Sequence, residues 1–220
     1  MRKNLSYKII FISLLLIMFS TLFPISNVLA TDKARVFSTD FFSTKESDKQ
    51  HAVNGLKKLK YSVSTKDSVT KSQILSWTNS GGSNYSNNNY CFYISTHGPS
   101  DSEAEQGITY FKDNNKVKIY PGDITGNWHF IYIDACNSKR NNKFPNSFNI
   151  KSTSSNRAYL GWATEVPVWS ANLFNNYFWE TYVTHHPIRT AAIKAAADVP
   201  GAGTTPIRFV GDTSWYGVGG

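Results

Sequence analysis

Cysteine is scarce in this chain: only Cys91 and Cys136 occur in 220 residues, so at most one disulfide can form. Internal repeats are absent, and beyond residue 30 no apolar run is long enough to cross a membrane as a helix. His185-His186 is an adjacent histidine pair, but no third ligand stands at metal-binding spacing, and the start of a helix is its simplest setting. Dense basic clusters are also missing. The net charge is +8, yet the cations are scattered, the tightest groups being Lys57-Lys58-Lys60 and Lys139-Arg140-Lys143. Such groups are ordinarily solvated surface and do not single out nucleic acid as a partner.

The first 30 residues are of a different kind from the rest. Arg2, Lys3 and Lys8 precede an apolar run from Ile9 to Phe23, and the segment closes Val28-Leu29-Ala30. A positive start, an apolar middle and a small-residue end describe a secretory signal peptide, cut after Ala30. Residues 31–220 then form one domain of an exported, extracellular or cell-surface protein. Removing the three leader cations lowers the balance from +8 to +5. That excess gives weak attraction to an anionic cell surface.

Two short runs dominate the remainder. Tyr93-Ile94-Ser95-Thr96 leads into His97-Gly98, and Phe130-Ile131-Tyr132-Ile133 leads into Asp134-Ala135-Cys136. Runs this apolar on both faces fit buried parallel strands. In an open α/β sheet the ligand crevice lies outside the strands' carboxyl ends, so neighbouring strands with these endings bring an imidazole and a thiol into one cleft. A thiol beside an imidazole is a nucleophile with its base. Cys91 stands six positions before His97, roughly 20 Å away at the strand rise, which argues against a bridge to Cys136 because bridged Cα atoms lie within about 7 Å.

Strand-His-Gly followed by strand-x-Ala-Cys resembles the caspase-like cysteine peptidases. The Asp134-x-Cys136 form is nearest to the clostripain, gingipain and metacaspase branches; animal caspases carry Gln-Ala-Cys, with the histidine about 50 residues upstream where here it is 39 positions away. The resemblance implies an α/β three-layer sandwich with a mostly parallel central sheet of about six strands, helices on both faces and an inserted β-hairpin. It implies His97 and Cys136 as the catalytic pair, and the N–H groups of Gly98 and Cys136 as the oxyanion hole. The substrate would be a protein or peptide. No metal enters the chemistry, although some relatives need calcium, and the acidic loop with Asp101, Glu103 and Glu105 is where such an ion would sit.

Asp134 lies two residues before Cys136, on the same strand face and about 7 Å below it. A carboxylate there suits a substrate's Arg or Lys side chain. The matching Asp lines this pocket in clostripain-like and metacaspase relatives. Trp162, ending the next strand, is expected as an aromatic wall, and Asp40 as a second acid. Two other classes stay open: a secreted caspase-fold binding protein without catalysis, and a cell-surface interaction protein using its Tyr- and Trp-rich exterior.

The remaining pattern supplies the scaffold. Strands are expected at 34–37, 61–64, 158–163 and 206–210, with a hairpin about Asp113-Asn114-Asn115. Helices are expected at 48–60 behind the capping box Ser47-x-x-Gln50, behind Thr70-x-x-Gln73, after Ser170, and from Pro187 to Asp198. The polar stretches 79–89 and 137–156 read as loops, the second a mobile flank of the cleft.

Overall fold

The computed structural model of the chain describes residues 33–39, 43–79, 90–105, 109–113, 115–200 and 207–216. The leader, Asp40 and residues 80–89 lie outside these. The elements run β1 (Lys33–Ser38), α1 (Ser43–Lys58), β2 (Ser62–Lys66), α2 (Lys71–Asn79), β3 (Tyr90–Ser95), α3 (Asp101–Glu105), β4 (Phe111–Lys112), β5 (Lys118–Ile119), β6 (Phe130–Asp134), α4 (Lys143–Ser147), β7 (Ala158–Trp162), α5 (Val168–Asn175), a π-helical continuation (Asn176–Tyr182), α6 (Ile188–Asp198) and β8 (Ile207–Gly211).

Six strands form one sheet in the order β2-β1-β3-β6-β7-β8. The first five pair in parallel, and β8 joins antiparallel to β7. Every residue of β3, β6 and β7 is buried. This is why their sequences are apolar at consecutive positions instead of alternating.

Alternate side chains feed two cores. On one face Val36, Tyr93, Tyr132 and Leu160 meet Ala52 and Leu56 of α1, Phe174 of α5, Trp179, and Ala191 and Ala195 of α6. On the other, Phe92, Ile94, Ile131 and Ile133 meet Ile74 of α2, Trp128, Phe144 of α4 and Phe148. The architecture is a three-layer α/β sandwich, and the short hairpin β4–β5 is inserted between β3 and β6.

Local chemistry explains most boundaries. The Thr70 N–H donates to the Gln73 side chain at 2.9 Å, half of the expected capping box. Pro187 stands at the N-cap of α6, where a missing N–H costs nothing.

Three expectations need correction. Helix α1 begins at Ser43, five residues early, because no Gly or Pro between Ser43 and Ser47 stops it; Ser47 lies within the helix and its hydroxyl accepts from Asn172. Ser170 is buried inside α5, and Pro167 holds the N-cap position. The stretch 137–156 is not a mobile flank: Phe144, Phe148 and Ile150 are fully buried, and Arg157 ties it down through the carbonyls of Phe148 (2.7 Å) and Trp128 (3.0 Å). Three apolar anchors among polar residues suffice to seat it.

Phe178 is fully buried, stacked on Phe174 with 5.6 Å between centroids and set edge-on to Trp179 at 4.8 Å. Phe178→Ala is expected to lower the unfolding free energy by about 3–5 kcal/mol, measured by urea denaturation, with an unchanged far-UV spectrum at zero denaturant.

Candidate active site

The pairing register of β3 and β6 sets Ser95 opposite Asp134. The ladder continues one step further, Thr96 N–H donating to Asp134 O at 3.0 Å. The two chains therefore leave the sheet side by side, one toward His97 and the other toward Cys136. Both residues line a single small cavity, together with Asp48, Thr96, Asp134, Ala135, Val166, Val168 and Ala171.

Contact between the two turns is intimate. A Cβ built on Gly98 would lie 1.7 Å from Cys136 O and 2.8 Å from Cys136 N, so only glycine allows the His97-Gly98 turn to rest on the Cys136 peptide groups. The His97 backbone is stitched to the hairpin, Lys112 N–H donating to His97 O at 2.8 Å. Beneath it, Thr96 Oγ1 accepts from Thr39 Oγ1 at 2.8 Å and donates to Lys112 O.

Behind Cys136, Ser138 fills the place a side chain at Gly161 would take, its Oγ 2.6 Å from a Cβ built there. That hydroxyl donates to Ile133 O at 2.7 Å and accepts from Trp162 N–H at 3.0 Å. The turn after β6 is thus locked onto β7. Above the thiol runs the loop 164–167, with Val166 N–H 3.4 Å and Val166 O 3.8 Å from Cys136 Sγ. Cys136 is half-buried and unbridged, and Cys91 is a buried core thiol far down β3.

Asp134 is 1% exposed. It accepts from the Trp162 indole N–H at 2.7 Å, from Tyr93 Oη at 3.0 Å and from Asn175 Nδ2 at 2.8 Å. All three donors are neutral groups. Burial, and then the charges of Asp134 and Asp48, push the Tyr93 phenol well above its ordinary pKa. Tyr93 therefore stays a donor at any physiological pH.

Asp48, in α1, is a second fully buried carboxylate lining the cavity, and it accepts from Asn172 Nδ2 at 2.8 Å. The sequence reading missed it. The available signal was an acid at the head of the helix's apolar stripe, since Asp48, Ala52 and Leu56 follow one another at fourfold spacing.

Trp162 is not an aromatic wall. Its ring is 2% exposed and packs edge-on against Phe174 at 5.0 Å, because the last residue of β7 points into the face that α5 covers. It supports Asp134 from below. Asp40 lies outside the described residues.

In the acidic loop the described carboxylates accept from the chain's own donors. Asp101 Oδ1 accepts from Asn137 Nδ2 at 3.0 Å and from Glu165 N–H at 2.9 Å, while Glu103 accepts from Ser100 N–H. Among the described residues no group of three or more His, Cys, Asp or Glu is arranged to hold a metal.

With this geometry in hand, the class is that of the caspase-like fold, a mostly parallel six-stranded sandwich with an antiparallel edge strand. Among solved structures, the chain is similar to caspase-1 from Spodoptera frugiperda, at a TM-score of 0.52 and 12% identity over 83% of this chain and 87% of that one. No family model and no curated protein sequence matches the chain.

Gly98→Ala is expected to push the two turns apart, lowering both the melting temperature and the rate of Cys136 alkylation. Gly122→Ala, whose new methyl meets nothing within 4 Å, should change neither. Thermal melts and timed iodoacetamide labelling, read by mass at Cys136, check the pair.

Proposed function

We propose that the protein is an exported cysteine endopeptidase in which Cys136 is the nucleophile, His97 its acid–base partner, and Arg or Lys the residue before the cleaved bond. The observation that carries this reading is the single cavity shared by an imidazole, a thiol and two buried carboxylates, Asp48 and Asp134. Two acids without the thiol and imidazole would suggest only a cation site. The thiol and imidazole alone would leave the specificity open.

In the proposed reaction Cys136 Sγ, as the thiolate, attacks the substrate carbonyl carbon, and the C–N bond breaks as His97 delivers a proton to the departing amine. A thioester remains. Water, giving its proton to His97, then attacks the thioester, releasing the acid and restoring the thiol. The backbone N–H groups of Gly98 and Cys136 stabilise the oxyanion at each tetrahedral stage, a contribution of about 3–4 kcal/mol per donor in comparable sites. Nothing in these steps calls for a metal.

Specificity follows from the floor of the cavity. A guanidinium or ammonium group reaching Asp134 and Asp48 makes charge-assisted hydrogen bonds inside a region shielded from water, where they are stronger than at the surface. The cavity holds only about 30 Å³, room for little more than a water. Substrate must therefore displace the side chains of Val166 and Val168 that line it. Residues 1–30, read as a signal peptide, direct the domain 31–220 out of the cell in this proposal.

Cys136→Ala and His97→Ala are each expected to abolish hydrolysis of Arg- and Lys-ending amide substrates without loss of fold, since both side chains lie beyond the strand ends. Cys91→Ala should retain activity. Asp134→Asn and Asp48→Asn should each cut kcat/KM for Arg and Lys substrates at least tenfold, the scale of one lost charge-assisted contact of about 1.5–3 kcal/mol. Wild-type protein that cleaves none of a positional peptide library, yet labels at Cys136, would instead identify a non-catalytic caspase-fold binding protein.

A further inference from the structure

Asn137, directly after Cys136, is an outlier in three ways. It has φ +60°, the left-handed region that costs most side chains energy and asparagine least. It is 1% exposed. And it makes three bonds to two other segments: its N–H donates to Thr164 O at 3.1 Å, and its Nδ2 donates to Pro99 O at 3.2 Å and to Asp101 Oδ1 at 3.0 Å.

Those partners are the segments that carry the candidate chemistry. Pro99 and Asp101 follow His97-Gly98 directly. Thr164 begins the loop whose Val166 N–H lies 3.4 Å from Cys136 Sγ. Asp101 closes the ring, since the oxygen that accepts from Asn137 also accepts from Glu165 N–H at 2.9 Å. One asparagine and one aspartate therefore tie the imidazole turn, the thiol turn and the covering loop into a single unit.

We infer that Asn137 and Asp101 are positioning residues: they hold Val166 N–H on the Cys136 sulfur and thereby stabilise the thiolate. An N–H aimed at a sulfur favours the charged form of the thiol. The inference rests on Cys136 being the reactive thiol, and it names residues that touch neither substrate nor sulfur. The charged or titratable groups facing Cys136 are His97 from the β3 turn, Asp134 on its own strand and Asp48 from α1; Glu165 and Asp101 stand behind Val166 and Asn137.

Sign separates positioning from charge. Removing a carboxylate near a thiol favours the thiolate and lowers its pKa. Asp101→Ala deletes such a carboxylate, so by charge alone it would move the titration down. Loss of the clamp moves it up. Asp101→Asn deletes the charge but keeps an oxygen able to accept both bonds.

The experiment is the pH dependence of Cys136 alkylation by iodoacetamide, read site-specifically by mass, in wild type, Asn137→Gly, Asp101→Ala and Asp101→Asn. Glycine adopts φ +60° without strain, so Asn137→Gly removes the side-chain bonds while leaving the backbone able to keep its shape. The expected result is an upward shift of the midpoint by about one unit in Asn137→Gly and Asp101→Ala, with Asp101→Asn at or below wild type. Unshifted midpoints in the first two variants, whether or not their melting temperatures fall, would overturn the inference, as would an upward shift in Asp101→Asn equal to that in Asp101→Ala. Alkylation needs no peptide turnover, so inert wild type with the expected shifts would sink the peptidase reading and leave the clamp standing.

Discussion

The parallel register of β3 against β6 is the constraint on which the candidate site depends. With Ser95 opposite Asp134, the two strands run out of sheet at the same height. A slip of one residue would turn every side chain of β6 to the other face and separate imidazole from thiol. What prevents the slip is burial on both sides. Each face of these strands is filled by large side chains packed against its own helix layer, and a slip would turn both sets toward the wrong layer.

Around that register the protein spends much of its polar chemistry on rigidity. Thr39, Thr96 and Lys112 stack under His97, Ser138 bolts the Cys136 turn to β7, and Trp162, Tyr93 and Asn175 converge on Asp134. Burying Asp134 among neutral donors is unfavourable compared with an apolar residue of the same size. A carboxylate kept at this place is what the proposed preference for Arg or Lys requires.

The fold was legible because its strands are long apolar runs in helix-strand alternation, and that pattern admits few parallel arrangements. Boundaries were less legible. Ser47 and Ser170 carry the composition of a helix cap, but a cap is only a local preference of about 1 kcal/mol, smaller than the packing that extends α1 upstream and starts α5 at Val168. The stretch 137–156 misled for a related reason: its polarity is an average, and three buried side chains decide its place.

What the sequence by itself determined is the pair of strand endings, His97-Gly98 and Asp134-Ala135-Cys136, because strand periodicity fixes which residues follow the sheet and which share a face. Tertiary structure alone decided how Trp162 is used, that Asp48 of α1 joins Asp134, and that Asn137 and Asp101 bind three loops together. The physical reason is distance along the chain. Asp48 and Asp134 are 86 positions apart and Asp101 and Glu165 are 64, and contacts of that span follow from how helices and loops pack on the sheet, which no local pattern records.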